Sequence, residues 1–212
     1  MAKKKLNILI TAGGTREYID PVRYISNASS GKMGYALARV AIKAGHKVTL
    51  ITAPTTLKKP AGAKVIDVVT SGQMLKTVKA EFDKCDCLIM AAAVSDYKPT
   101  TSSATKIKKD QAEMILKLKP TQDILKWAGQ NKKKHQLVVG FALEDKKLLK
   151  NAEKKLKVKN LDMIVANEPT AIAADTSTVH IKTSSDDWQT LPDKTKTASA
   201  AKIIKCVETL AM

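Results

Sequence analysis

Short unbroken apolar runs alternate along the chain with longer stretches whose apolar residues recur at helical spacing. Residues 6–11 are apolar and β-branched, as in a buried strand. Gly13 and Gly14 follow, then a polar stretch, 15–30. Met33, Ala36, Leu37, Val40, Ala41 and Ala44 fall at helical spacing, and Gly45 supplies the stop. Two further strands are predicted at 47–52 and 64–69, separated by a loop. Ser71 stands where it can cap a helix reaching about residue 84, with Met74, Leu75, Val78 and Phe82 on one face. Residues 87–94 form a continuous apolar run, the pattern of a central strand covered on both faces. Strands are then predicted at 114–118, 136–142 and 163–166, with helices ending near 130 and spanning 144–157. Alternation around 178–182 and polar turn residues at 184–187 predict a hairpin. A last helix, 198–211, would bury Ala200, Ile203, Ile204, Val207 and Leu210.

This rhythm predicts an α/β protein: a Rossmann-like three-layer sandwich with a mainly parallel central sheet, plus a small C-terminal β-hairpin and helix. Residues 1–212 read as a single domain, without internal repeat or linker. No apolar run approaches membrane-spanning length. The basic start MAKKK is followed by a short strand rather than a signal-peptide core. Three cysteines do not make a disulfide framework, so a reducing, cytoplasmic setting is expected. His46, His135 and His180 are scattered, and Cys85 with Cys87 is a weak metal signal.

Charge changes the picture more. Lys and Arg total 37 against 20 Asp and Glu, a net charge of +17. Such a surface suits nucleic acid or a small polyanion. With two Phe, four Tyr and two Trp, there is no stacking signature for single strands. The expectation is small anionic ligands, with neither nucleic acid nor membrane as partner.

The chemistry points to the predicted start of the first helix. Ser30, Gly31, Lys32, Met33 and Gly34 bring small residues, a hydroxyl and a lysine to where backbone N–H groups point outward, as at a phosphate site. A P-loop fails, because Ser26 and Met33 stand where it needs a glycine and a hydroxyl. A dinucleotide fingerprint fails too, because a long insertion separates Gly13 and Gly14 from the later glycines. For Gly34 and Gly45 alone, tight turning and helix packing suffice. Asp96 lies where the 87–94 run ends, the edge at which open α/β sheets bind ligands. A short-chain reductase reading fails at Thr101, where a lysine would be needed.

The segments TAGGTRE, IDPVRYISN and SSGKMG resemble the signatures of phosphopantothenoylcysteine synthetase, the ligase of coenzyme A synthesis. AAAVSDYKP, KIKK, VVGFALE and KNLDMIVAN carry the resemblance along nearly the whole chain. It implies joining of 4′-phosphopantothenate to L-cysteine. A nucleoside triphosphate, CTP for the bacterial type, first activates the carboxylate as an acyl-nucleotide. It implies Mg2+ on the triphosphate with no side-chain metal site, no flavin, and a homodimer whose site takes residues from the partner. A functional link to a separate phosphopantothenoylcysteine decarboxylase is also implied. By resemblance Asn27 and Lys106 are catalytic. Gly13, Gly14, Ser30 to Gly34, Asp96, Lys106, Lys119, Pro120, Thr121, Gln122, Phe141, Lys155 and Lys159 surround the nucleotide. Arg23, Asn27, Ala92 and Ala93 neighbour the acid. At 119–122 the chain reads KPTQ, a departure from the family's usual Asn-Pro-Asp. ATP in place of CTP, and a Rossmann-like domain that binds a nucleotide without turning it over, stand as alternatives.

Overall fold

The computed structural model describes residues 4–109, 113–172 and 174–212. The chain opens with β1 (Asn7–Ala12), a small hairpin β2 (Arg16–Tyr18) and β3 (Tyr24–Ser26), and helix α1 (Lys32–Lys43). Next come β4 (Lys47–Thr52), β5 (Ala63–Asp67), α2 (Ser71–Phe82) and β6 (Cys87–Met90). A second small pair, β7 (Tyr97–Pro99) and β8 (Leu118–Pro120), leads to α3 (Ile124–Asn131), β9 (Leu137–Leu143), α4 (Leu148–Val158) and β10 (Met163–Asn167). A 3-10 turn, Pro169–Ala171, then precedes β11 (Thr176–Thr183), β12 (Gln189–Thr195) and α5 (Lys196–Leu210).

Eight strands form one sheet in the order β12-β11-β10-β9-β6-β1-β4-β5. From β5 through β10 the pairs are parallel, and the terminal hairpin adds the antiparallel ones. β1 sits between β4 and β6, where the winding direction reverses. Alternation along β1 builds both faces: Ile8 and Ile10 pack with Tyr35, Leu37, Ile203 and Val207, and Leu9 packs with Met74, Val78 and Phe82. Two helices, α1 and α5, therefore cover one face, and α2, α3 and α4 the other. This is the predicted three-layer α/β sandwich. Among the described residues no helix is long and apolar enough to cross a membrane.

Gly34 shows how closely α1 approaches β1. A Cβ there would stand 2.5 Å from the Ala12 Cβ and 2.9 Å from the Thr11 carbonyl oxygen. Gly34 is thus required by the packing of α1 on β1.

Several boundaries differ from expectation. The polar stretch 15–30 is not all loop, for it contains the β2–β3 hairpin. α2 is capped by Thr70, not Ser71: the Thr70 hydroxyl accepts from Gln73 N–H while the Gln73 side chain accepts from Thr70 N–H, a capping box. β6 ends at Met90, four residues early, because 91–94 turns along the end of β1: Ala92 N–H donates to Thr11 Oγ1 and Ala93 N–H to the Gly13 carbonyl. The strand expected at 114–118 lies instead at Leu118–Pro120, paired with Tyr97–Pro99. α4 starts at Leu148 after Lys147 adopts a φ of 52°.

Candidate active site

The reversal of winding at β1 opens a cleft at the carboxyl ends of β6, β9 and β10, of about 710 Å³. Ligands of open α/β sheets bind at such switch points. Four segments build its walls. Residues 26–33 descend from β3 into the first turn of α1, and 90–94 with Asp96 leave β6. Residues 121–125 enter α3, and Phe141, Lys155, Lys159, Asn167 and Lys196 come from the later half of the chain.

The 91–94 segment is held against the end of β1. Gly13 accepts from Ala93 N–H at 2.8 Å, and Thr15 N–H donates to Ala93 at 3.2 Å. Across from it, Gly31 caps α1 with a left-handed φ of 77° and no side-chain cap. The first turn of α1 thus faces the cleft with its backbone N–H groups, of which that of Lys32 also reaches Ser30 Oγ at 3.4 Å, an arrangement that attracts anions. Asn27 donates one amide N–H to the Val94 carbonyl at 3.2 Å. An amide has a second N–H and an acceptor oxygen to offer a substrate.

Cations dominate the walls. Lys155 donates to the Phe141 carbonyl at 2.7 Å. Burial lowers its pKa, and the neighbouring Lys159 lowers it further. Lys159 pairs with Asp123 at 2.7 Å. Burial pushes the Asp123 carboxyl up, but Lys159 and the Lys126 N–H outweigh it, and the net shift is downward. Lys32 pairs with Asp175 at 2.7 Å. Lys196 donates to the Ala171 carbonyl at 3.1 Å and to Ser177 Oγ at 3.0 Å.

Of the residues singled out in sequence, Asn27, Ser30, Gly31, Lys32, Met33, Ala92, Ala93, Asp96, Thr121, Gln122, Phe141, Lys155 and Lys159 line this one cleft. Gly13 and Gly14 lie behind it: Gly13 bonds the 91–94 wall, and a Cβ on Gly14 would stand 2.6 Å from the Asn27 carbonyl oxygen. Gly34 sits one turn into α1, against β1. Lys119 and Pro120 belong to β8, beside the cleft rather than in it.

Arg23 and Lys106 are brought together elsewhere. Arg23 pairs with Asp20 and donates to the Ile107 carbonyl at 2.9 Å. Asp20, which also accepts from Ile107 N–H at 3.2 Å, is held well below the usual carboxylate range by the Arg23 guanidinium. This knot fastens the loop after β7 to the tip of the β2–β3 hairpin, with Lys106 exposed beside it. Within one chain, Lys106 does not line the cleft that holds Asn27. Sequence reasoning missed Asn167, Asp175 and Lys196. Asn167 closes the KNLDMIVAN segment, which reads as a strand end, while Asp175 belongs to the stretch that reads as a hairpin and Lys196 follows it with no motif around it.

A family model described as the DNA/pantothenate metabolism flavoprotein C-terminal domain matches residues 3–210. The coenzyme A biosynthesis bifunctional protein CoaBC of Bacillus subtilis is 43% identical over 209 residues, which cover 96% of this chain and 51% of that protein. A protein of an unknown prokaryotic organism, named cysteine/cysteine sulfinic acid decarboxylase, is 45% identical over 218 residues, covering 99% of this chain and 61% of its own. The chain therefore spans about half to three fifths of the length of these curated relatives. A crystal structure of the C-terminal domain of CoaBC superposes with a TM-score of 0.85 at 39% identity, covering 98% of this chain and 96% of that one.

Proposed function

Since the chain belongs to the family of the DNA/pantothenate metabolism flavoprotein C-terminal domain, we propose that it is a phosphopantothenate–cysteine ligase of coenzyme A biosynthesis. In this reading CTP activates the carboxylate of 4′-phosphopantothenate as an acyl-cytidylate, and pyrophosphate leaves. The amine of L-cysteine then attacks the acyl carbon, and CMP leaves. One observation carries the proposal: a single cleft at the switch point surrounds its volume with Asn27, the first turn of α1, Asp96, Phe141, Lys155 and Lys159. That volume suits a nucleotide and a short acid together.

The chemistry asks for positioning and charge more than for a dedicated base. A carboxylate attacking an α-phosphate must approach an anion in line, so lysines and backbone N–H groups that neutralise phosphoryl oxygens lower the barrier. Lys155 and Lys159 supply charge on one wall, and the α1 terminus supplies amides on the other. In the second step negative charge moves to the acyl oxygen, where the spare N–H of Asn27 can receive it. Among the described residues no three His, Cys, Asp or Glu side chains are grouped to hold a metal. In this reading magnesium would ride on the triphosphate, with Asp96 as a carboxylate of the wall, and would supply further charge neutralisation.

The exposed position of Lys106 supports a two-chain site. Its loop is fastened beside Tyr18, Val22, Tyr24, Tyr97 and Leu118, which are all exposed large apolar residues. We read this surface as the contact between two copies, through which each Lys106 serves the partner's cleft.

Pyrophosphate release, followed with phosphopantothenate and each nucleotide in turn, tests the reading. Release with CTP faster than with ATP, and appearance of phosphopantothenoylcysteine when cysteine is added, is the expected result. Equal or greater rates with ATP would remove the CTP preference. Nucleotide binding without pyrophosphate release would leave only a binding domain. Carbon dioxide evolved from cysteine would favour the activity that the decarboxylase relative is named for.

A further inference from the structure

The cleft lysines fall into two groups with different charged partners among the described residues. The charged groups around Lys155 are Lys159, Glu144, Asp123 and Asp96. Those around Lys196 are Lys32 and Asp175. The cleft therefore has two positive poles. The first belongs to the nucleotide site proposed above. Lys196, at the second, has no role in that reading.

Its position is electrostatically poor. Lys196 is the first residue of α5, just past the Thr195 cap. The N-terminus of a helix is its positive end, where a cation is disfavoured. The side chain is partly buried, and burial followed by the nearness of Lys32 lowers its pKa. Its two acceptors, the Ala171 carbonyl and the Ser177 hydroxyl, are both neutral. They use two of the three donors of an ammonium group. A tether between α5 and the 171–177 segment needs no charge, and a neutral amide would serve. The nearby carboxylate, Asp175, has a side chain 89% exposed and is bonded to Lys32. An anion seated between Lys32 and Lys196 would relieve the repulsion between them and complement both helix ends.

We infer that Lys196 and Lys32 together hold the terminal phosphates of the nucleotide, the part that departs as pyrophosphate, with Asp175 occupying Lys32 until they arrive. The inference rests on the triphosphate reading above. In the activating step a bond forms between a carboxylate oxygen and the α-phosphorus. The bond from that phosphorus to the α,β-bridging oxygen breaks, and its electron pair leaves with pyrophosphate. Negative charge grows at the β,γ end, where this second pole lies.

The test uses the full chain and titration calorimetry with CTP, ATP, CMP and inorganic pyrophosphate. Lys196→Met should weaken triphosphate and pyrophosphate about tenfold or more, the loss expected for one charge-assisted bond. CMP should stay within about twofold, since a monophosphate does not reach the second pole. Lys196→Arg should restore most of the loss. Asp175→Asn should tighten triphosphate binding about two- to fivefold at low salt, and the gain should shrink as salt screens it. A mere tether would weaken CMP and CTP alike, and that result would overturn the inference. Unchanged CTP affinity in Lys196→Met would also overturn it. Should Lys196→Met fail to fold, the Asp175→Asn arm decides, and unchanged affinity there refutes the inference. Wild-type protein that binds neither CTP nor ATP would instead refute the triphosphate reading itself, and this inference with it.

Discussion

Asn27 and Lys106 occupy different parts of the same chain, and their chemistry differs as well. Asn27 stands in the cleft wall with one N–H given to Val94. Lys106 stands outside, on a loop fastened by Asp20 and Arg23. In the proposed reaction charge develops on phosphoryl oxygens in the first half-reaction and on the acyl oxygen in the second. Lys106→Gln should therefore slow pyrophosphate release about a hundredfold or more, the scale for loss of one preorganised stabiliser. Asn27→Asp should release pyrophosphate in a single turnover and accumulate acyl-nucleotide, because a carboxylate beside the developing oxyanion repels it. Quenched-flow analysis of both variants distinguishes the roles; intermediate on the Lys106 variant alone would reverse them. Mixing the two inactive variants adds a test of the two-chain site. Random exchange of subunits should restore about a quarter of wild-type activity if Lys106 acts across the dimer axis, and none if it acts within its own chain.

At the scale of elements, the placement of α3 against α4 governs one cleft lysine. A Cβ on Gly129 would come within 1.8 Å of the Lys159 carbonyl oxygen, and Asn160 already bonds the Gly129 carbonyl at 2.8 Å. Gly129→Ala must push the end of α4 outward. It should cost about 1–3 kcal/mol in chemical denaturation, the usual scale for overpacking. Nucleotide affinity should fall with it, since Lys159 moves; an unchanged midpoint would refute this account. The contrast between elements explains what could be read beforehand. β1, β4, β9 and β10 announced themselves because a parallel strand covered on both faces must be an unbroken apolar run. The pairs β2–β3 and β7–β8 did not, since three residues are too few for any period to register. Thr70 was overlooked beside Ser71, although Gln73 three residues after Thr70 marks a capping box. Within the cleft, residues carried by contiguous motifs were legible. Lys196 was not, because its place depends on a hairpin returning 171–177 and α5 to the sheet edge, a long-range contact that leaves no local trace.

For the whole molecule the net charge of +17 is partly answered by local ion pairs. Lys59, Lys64, Lys84, Lys133 and Lys157 are each paired with an acidic neighbour on the outer surface. Polynucleotide binding should therefore be weak, indifferent to sequence, and lost as salt rises toward physiological strength. A sequence-selective complex surviving such salt in a filter-binding titration would contradict this. The cleft itself is assembled from distant parts of the chain. Its lining runs from Ser26 in the first half of the chain to Lys196 in α5. During translation, β1, β4 and β5 can pair while the second half is still inside the ribosome. The cleft, however, waits for the final helix. A ribosome-bound chain that has not yet delivered Lys196 can thus pair its first strands and still lack one of the two poles proposed to grip a triphosphate.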